Sequence, residues 1–527
     1  MSNISPTFSH WLEIVGFSVF TAPMLEPDAS SLLPLVVTLV LSLTTRNVIV
    51  GLFSGVFVGV MMVHGPSPLA AMSQMVIEHL VPELTDSYNA GVLVLLAFIG
   101  GFVALMEKSG GGAAFAQSIN SRIRSRLQAQ LAAWLGGIAI FFSDLGTPLI
   151  IGPVFRPLID RLQISRQKLA FIIDSTSSPV AILVPFIGWG VYIMGLMSQE
   201  FTAVGLEQNE FAAFVQTMPF QFYAWLAVGM VPLMTVLKLD FGPMQKAEIS
   251  ARQDTHSSPA KAESDGSEIK GFTHANARPM LVWVPLAVLA GVLCWQLVPL
   301  GFPLKPVSGS LFRAGLSSAY FSAAVTLITL MALLRVRPVL QSIDIYLKGM
   351  TNMTLVAVTL LLAWALSDIG RSLGADVFIS GVTEAALPVW LLPAVIFVLS
   401  AMLSFATGSS WGTFAIMFPL VIPTASLVGA PLYACMGAVL SGGLFGDHSS
   451  PISETTILSS TGAGCAQIEH FRTQLPYALF NGMISLGGFL LAGLHGEYWI
   501  LLMLIALQII LLMGLQRLIT GEARSGV

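Results

Sequence analysis

Apolar runs of about 20 residues recur along this chain between short polar or basic segments, and that is the length a helix needs to cross a bilayer. A segment in lipid must satisfy its own backbone hydrogen bonds, so the chain is predicted to be an all-α polytopic membrane protein. Only 10% of its residues are charged and 55% are hydrophobic, against roughly 25% charged in an ordinary soluble protein. The 24 Lys+Arg and 28 Asp+Glu are dispersed and leave a net charge of -4, which argues against a nucleic-acid partner. Cys294, Cys435 and Cys465 lie in or beside apolar runs without metal-ligand spacing, and no cofactor is expected.

Lys and Arg mark the cytoplasmic ends of spans, and one threading satisfies every loop. Arg46 puts the turn between runs 31–45 and 47–63 inside, and loop 65–89, with Glu78, Glu83 and Asp86 but no base, lies outside. Run 91–107 returns to Arg122, Arg124 and Arg126; run 130–156 then has basic residues at both ends, which predicts a re-entrant hairpin with its tip near Ser143 to Pro148. Run 169–197 exits to an acidic loop, and run 214–236 comes back to a polar, Ser- and Pro-containing segment, 238–278, read as a flexible cytoplasmic linker. The second half goes the other way. Runs 280–300, 311–334 and 349–367 are spans, 388–424 is a hairpin entering from outside, 434–462 leads in to Arg472, a further span leads out to Gly496, and the last ends inside at Arg517 and Arg524.

Each half therefore reads as three spans, a re-entrant hairpin and two spans with a broken helix, the second half upside down, followed by a C-terminal span. That is the inverted-repeat plan of many secondary transporters. The expected parts are an N-terminal segment 1–30, a first repeat 31–237, the linker 238–278, a second repeat 279–496 and a final span and tail 497–527. Residues 11–25 fit a further span or a surface helix equally well, because Glu13 and Pro23 interrupt them.

Runs 169–197 and 434–462 are longer than one span and each carries Ser-Ser-Pro, at Ser177-Ser178-Pro179 and Ser449-Ser450-Pro451. Proline breaks a helix yet suits the first turn of a new one, where serine is a favoured cap. New half-helices are therefore expected at Pro179 and Pro451, capped by Ser178 and Ser450. Ahead of the breaks stand Asp174, Ser175, Thr176 and Ser177 in one half and Asp447, His448 and Ser449 in the other. Carboxylates, hydroxyls and unwound carbonyls are the oxygen ligands a dehydrated alkali cation needs, so Na+ is expected at Asp174 and Asp447. Charge inside a membrane is expensive and usually functional, although a Ser-Pro kink is as often a packing device. The hairpin tips add Ser143, Asp144 and Thr147, and Thr407, Ser409, Ser410 and Thr413. Asp447, Asp174, His448 and Glu454 are the candidate proton carriers, with Glu454 either facing the site or supporting its half-helix. Gly408-Ser-Ser-Trp-Gly412 matches the nucleophile-elbow pattern, but that motif needs a strand-turn-helix setting, and no enzyme is expected.

The stretch Gly446-Asp-His-Ser-Ser-Pro-Ile-Ser-Glu-Thr-Thr through Gly464, with Phe155-Arg-Pro-Leu-Ile-Asp160 and Ile173-Asp-Ser-Thr-Ser-Ser-Pro179, resembles the NhaC family of bacterial sodium/proton antiporters. The resemblance implies an inner-membrane, ion-coupled carrier with an inverted-repeat fold, with Asp174, Asp447 and His448 as ion-site residues; sodium/proton antiport by alternating access, with the cation and protons competing for the same buried carboxylates, is the expected activity. Where family members carry a paired-aspartate signature with an asparagine, this chain has Phe142-Ser-Asp-Leu-Gly-Thr147, and Ser449 and Glu454 replace the cysteine and aspartate common there. The smaller tip leaves room for an alternative, sodium-coupled transport of an amino acid or small carboxylate. Expected partners are membrane lipids, sodium and protons, with a small organic solute under the alternative; homo-oligomerisation is left open.

Overall fold

A computed structural model describes residues 28–120, 123–253, 273–302 and 307–525; the question raised by residues 11–25 and the centre of the predicted linker lie outside them. All regular structure among the described residues is helical. Among the described residues eight helices are long and apolar enough to cross a membrane, or up to ten if two bent pairs each count as one span.

The first half begins with the antiparallel pair α1, Leu33–Thr45, and α2, Val48–His64. Arg46 turns the chain in the left-handed region, and Asn47 caps α2 by accepting from the amides of Ile49 and Val50. Glycine lets these helices touch: a Cβ on Gly51 would lie 2.0 Å from Ser42 Oγ. The helical stretch α3, Pro68–Thr85, is turned 104° from α2. Then come α4, Ser87–Lys108, and a short α5, Gly111–Asn120. The predicted first hairpin is α6, Arg126–Ala139, and α7, Gly146–Arg161, joined by a non-helical tip. The predicted broken helix comprises α8, Arg166–Ser175, a single turn α9, Ser178–Ala181, and α10, Gly188–Ala203. Helices α11, Glu210–Thr217, and α12, Phe222–Leu237, complete the half.

Part of the predicted linker is ordered. Residues 243–253 form a helix, α13, Pro243–Gln253, because the segment has anchors that composition does not reveal. Asp240 pairs with Lys168, and buried Glu248 pairs with Arg126 while accepting from the Ser165 amide at 2.7 Å. One carboxylate thus ties the start of the first hairpin to the start of the broken helix.

The second half repeats the element order. Spans α14, Met280–Leu297, and α15, Gly309–Leu333, precede α16, Val339–Asn352, and α17, Thr354–Ser372. Together α16 and α17 make one apolar stretch, Val339–Ser372, that contains the expected third span 349–367. A short α18, Ala375–Ala386, matches α5. At the second predicted hairpin stand α19, Leu392–Thr407, and α20, Ser410–Leu427, but Val389–Thr407 and Ser410–Leu427 are each long and apolar enough to cross a membrane, because the two apolar runs are full-length helices on either side of Gly408 rather than the short arms of a re-entrant loop; the broken helix is α21, Leu432–His448, and α22, Glu454–Ala463. The second helix of each hairpin has two prolines four residues apart, Pro153 and Pro157, and Pro419 and Pro423. Long α23, Gln467–His495, and α24, Trp499–Ser525, end the chain.

The halves interlock where the breaks lie. Helix α7 packs on α8 and α22, α10 on α20, and α21 against both α19 and α20. At the α7–α22 crossing a Cβ on Gly152 would lie 2.4 Å from the Gly462 backbone, so each glycine is what admits the other helix. Gly408, at φ +67, turns the second tip with the Ile452 carbonyl 2.9 Å from where its Cβ would be.

Candidate functional site

Neither break has the capping geometry that the Ser-Pro triplets predict. Ser178 is the first residue of the one-turn α9, and the longer half-helix starts only at Gly188, after residues 182–187. Pro451 lies within the second break, not in a first turn, and α22 begins at Glu454 with Ser453 ahead of it. Ser450 Oγ instead donates to the Phe405 carbonyl at 2.8 Å, near the second hairpin tip, and Ser177 Oγ donates to the Asp144 carbonyl at the first tip. Each break is therefore tied to the hairpin of its own half. The serines answer carbonyls left over where helices end, because those need donors once the i→i-4 ladder stops.

Asp174 sits in the last turn of α8, 1% exposed. Its carboxylate accepts from Gln474 Nε2 at 2.6 Å and Ser459 Oγ at 3.2 Å, and His470 Nε2 stands 3.3 Å away. His448 Nε2 is 3.6 Å away. The other ring nitrogen of His448 is 2.9 Å from Tyr223 Oη. Asp447, beside His448 in the chain, makes a different shell: Ser453 Oγ donates to Oδ1 at 2.8 Å and Thr455 Oγ1 to Oδ2 at 3.0 Å. Gln474 joins the two shells, because its Nε2 also donates to the His448 carbonyl at 2.8 Å.

The first break thus presents a carboxylate among imidazoles and the second a carboxylate among hydroxyls. The hydroxyl shell has the donor chemistry of a sodium site, and next to it in the chain the Ser449 and Thr456 oxygens are buried without a protein partner. Ser175 Oγ and Ser178 Oγ at the first break, His470 Nδ1 and Gln474 Oε1 are likewise buried without a hydrogen-bond partner, and so is His448 Nε2, which faces Asp174 at 3.6 Å. Among the described residues no group of three or more His, Cys, Asp or Glu is arranged to hold a metal ion.

Several expected ligands turn away from this cluster. Thr176 Oγ1 donates to Ile172 O at 2.8 Å and fills the space beside Gly137, Thr147 donates to Ser143 O, and Thr407 donates to Leu403 O at 2.8 Å. A threonine in a helix satisfies its own preceding turn, which sequence cannot distinguish from facing a site. Thr413 donates to Ser409 O in the same way, and Ser409 Oγ caps α20 by accepting from Gly412 N at 3.3 Å. Ser410 donates to Gly443 O at 3.2 Å while His448 faces Asp174 and Tyr223, so no nucleophile–base pair forms.

At the first tip Ser143 Oγ donates to Glu107 Oε1 at 2.7 Å and accepts from Gly146 N at 2.9 Å. Asp144 is half-buried and Glu454 exposed, and the two are within Coulombic reach. The sequence reading overlooked Glu107, Tyr223, Ser453, Thr455, Ser459, His470 and Gln474. His470 and Gln474 did leave a signal, since they are one turn apart on α23 and Asn481 and Ser485 continue the same polar stripe along the helix.

A sequence model of the Na+/H+ antiporter family matches residues 180–494. An uncharacterized protein of Haemophilus influenzae is 30% identical over 510 residues, which cover 94% of this chain and 95% of that one. The arginine/ornithine antiporter of Halobacterium salinarum is 38% identical over 112 residues, 20% of this chain and 23% of that protein. The crystal structure of the Alcanivorax borkumensis YdaH transporter has a similar fold, with a TM-score of 0.54 at 16% identity, covering 83% of this chain and 91% of that one.

Proposed function

Since the chain belongs to the Na+/H+ antiporter family and is a polytopic membrane transporter rather than an enzyme, we propose that it exchanges sodium for protons across the bacterial inner membrane by alternating access. Sodium binds at Asp447, with the Ser453 and Thr455 hydroxyls rotating to turn their oxygens toward it, and Asp174 shares the load. A proton neutralises the same carboxylates that the ion neutralises, so the two compete for one buried cluster. Competition enforces exchange, because an empty, doubly charged cluster is the costly state to carry across the membrane. The repeated element order and the matching proline pairs support reading 31–237 and 279–496 as inverted repeats. The basic loops support a cytoplasmic position for segment 238–278 and the C-terminus.

One observation carries this reading: His448, bonded in sequence to Asp447, stands 3.6 Å from Asp174, and Gln474 hydrogen-bonds both Asp174 and His448. Acids 273 positions apart in the chain therefore belong to one buried cluster. In vesicles holding the purified protein, added sodium is expected to discharge an imposed pH gradient. Asp447→Asn should abolish that discharge while the protein stays folded by thermal unfolding; discharge at the wild-type rate would refute the assignment.

A second reading, sodium-coupled transport of an amino acid or small carboxylate, is favoured by the local match to an arginine/ornithine antiporter. Sodium-dependent accumulation of a labelled amino acid without sodium-driven proton release would select it.

A further inference from the structure

The half-helix α22 serves both acids of the cluster at once. Its Thr455 hydroxyl donates to Asp447 at 3.0 Å and its Ser459 hydroxyl to Asp174 at 3.2 Å. A separation of four residues puts the two hydroxyls on one face, one turn and about 6 Å apart along the axis. The helix is thus a ruler laid between the acid of its own half and the acid of the other. We propose that Arg156 and Arg166 are specificity-determining positioning residues: from the first half they grip the terminal carbonyls of α22 and hold its hydroxyls at the spacing that fits sodium. The proposal deepens the ion-exchange reading above and rests on it.

Arg156, on α7, donates through Nη2 to the Thr461 carbonyl at 3.1 Å and to the Gly462 carbonyl at 3.0 Å. Straddling two carbonyls fixes the rotation of the helix as well as its height. Arg166, the first residue of α8, donates to the Gly464 carbonyl at 3.0 Å while its Nε and Nη2 hold the two oxygens of Asp160 at 3.1 Å. Helix α8 therefore fastens α22 at two points, with Arg166 at its end and Asp174 at Ser459. Capping alone does not call for these arginines. Gly464, at φ +73, already turns the chain so that its own amide and that of Cys465 reach the Ser460 carbonyl, at 2.8 and 3.0 Å. The arginines add a tie between the halves, two cations at the negative end of a helix whose first turns face the acids.

The charges of Asp447 and Asp174 attract every alkali cation. Preference among such ions depends on how firmly the oxygens are spaced, because a loose shell closes on a small ion or opens for a larger one at little cost. Here the spacing is that of the ruler, and the ruler is only as fixed as its anchored end.

The experiment measures the rise in thermal unfolding temperature of the full chain, purified in detergent, on adding sodium or potassium. The wild type is expected to respond saturably, with the lower half-saturating concentration for sodium. Arg156→Gln should raise the sodium value about tenfold, the scale of one lost hydrogen bond to a charged group, and move the potassium value less, so that the preference shrinks. Arg156→Lys, which keeps the charge and a donor, should recover most of it. Arg166→Gln, which releases the Gly464 carbonyl alone, should shift the ratio the same way by a smaller factor. In a wild type that prefers sodium, an unchanged ratio in folded Arg156→Gln, or in Arg166→Gln should the first variant not fold, overturns the positioning role and leaves the ion-exchange reading standing. A wild type that responds to both cations alike overturns the fitted spacing, and one that responds to neither overturns both readings.

Discussion

Gln474 gives the sharpest test of how the two breaks are joined. His448 ends α21, so its carbonyl is one of those a helix terminus leaves without an intrahelical donor. Gln474 Nε2 supplies the donor, and the same nitrogen serves Asp174. Replacing Gln474 by Leu keeps the volume near constant and removes both bonds. A hydrogen bond to an ionised carboxylate contributes about 1.5 to 3 kcal/mol and a neutral one about 0.5 to 1.5. Asp174 keeps Ser459 and His470 as neighbours, so the expected loss is roughly 2 to 4 kcal/mol. Thermal unfolding in detergent should show a drop of several degrees, and the sodium concentration for half-maximal discharge of a pH gradient should rise about tenfold or more. A double-mutant cycle with Asp174→Asn isolates the pair and should give a coupling above about 1 kcal/mol. Coupling within about 0.3 kcal/mol of zero, with unchanged sodium dependence, would refute the claim that this amide links the sites.

The α7–α22 crossing has no room for a side chain, so Gly152→Val should cost more than the ~1 to 3 kcal/mol of ordinary overpacking and cut the yield of folded protein. Gly487→Ala, with nothing within 4 Å of the new Cβ, should leave yield and unfolding temperature unchanged or slightly raised. Glu248→Leu leaves the Ser165 amide without its acceptor and Arg126 with only the Leu162 and Gln163 carbonyls, with an expected loss of about 1 to 3 kcal/mol read by thermal unfolding, while Glu248→Gln, which still accepts from that amide, should lose less. On α3, outside the spans, burial and then the nearby Asp368 push Glu83 from 4.5 up to about 7. Its folded-state affinity for the proton is raised, so its contribution to stability is complete below about pH 4.5 and lost as pH rises through about 7. The unfolding temperature of the wild type should therefore fall more steeply across that window than that of Glu83→Gln; parallel curves would refute the assignment.

The sequence by itself determined the solvent and the skeleton of this protein. Run length, scarcity of charge and the bases between runs are local properties, and they identified the helical membrane class, a pair of helices at each expected hairpin, both breaks and the acids beside them. Local signals failed where a long-range partner decides. The triplets at Ser177 and Ser449 announced interruptions but not where helix resumes, because the serines are held by tip carbonyls rather than by helix amides. Segment 238–253 has a linker's composition, yet Asp240 and Glu248 meet Lys168 and Arg126, which folding delivers from 72 and 122 positions away. Thr176 and Ser459 are equally plausible ligands on paper; packing turns the first onto its own helix and the second onto Asp174. His470 and Gln474 reach that carboxylate across 296 and 300 positions. Only the tertiary structure could select them, since which face of a helix looks inward is set by the helices packed around it and not by the residues within it.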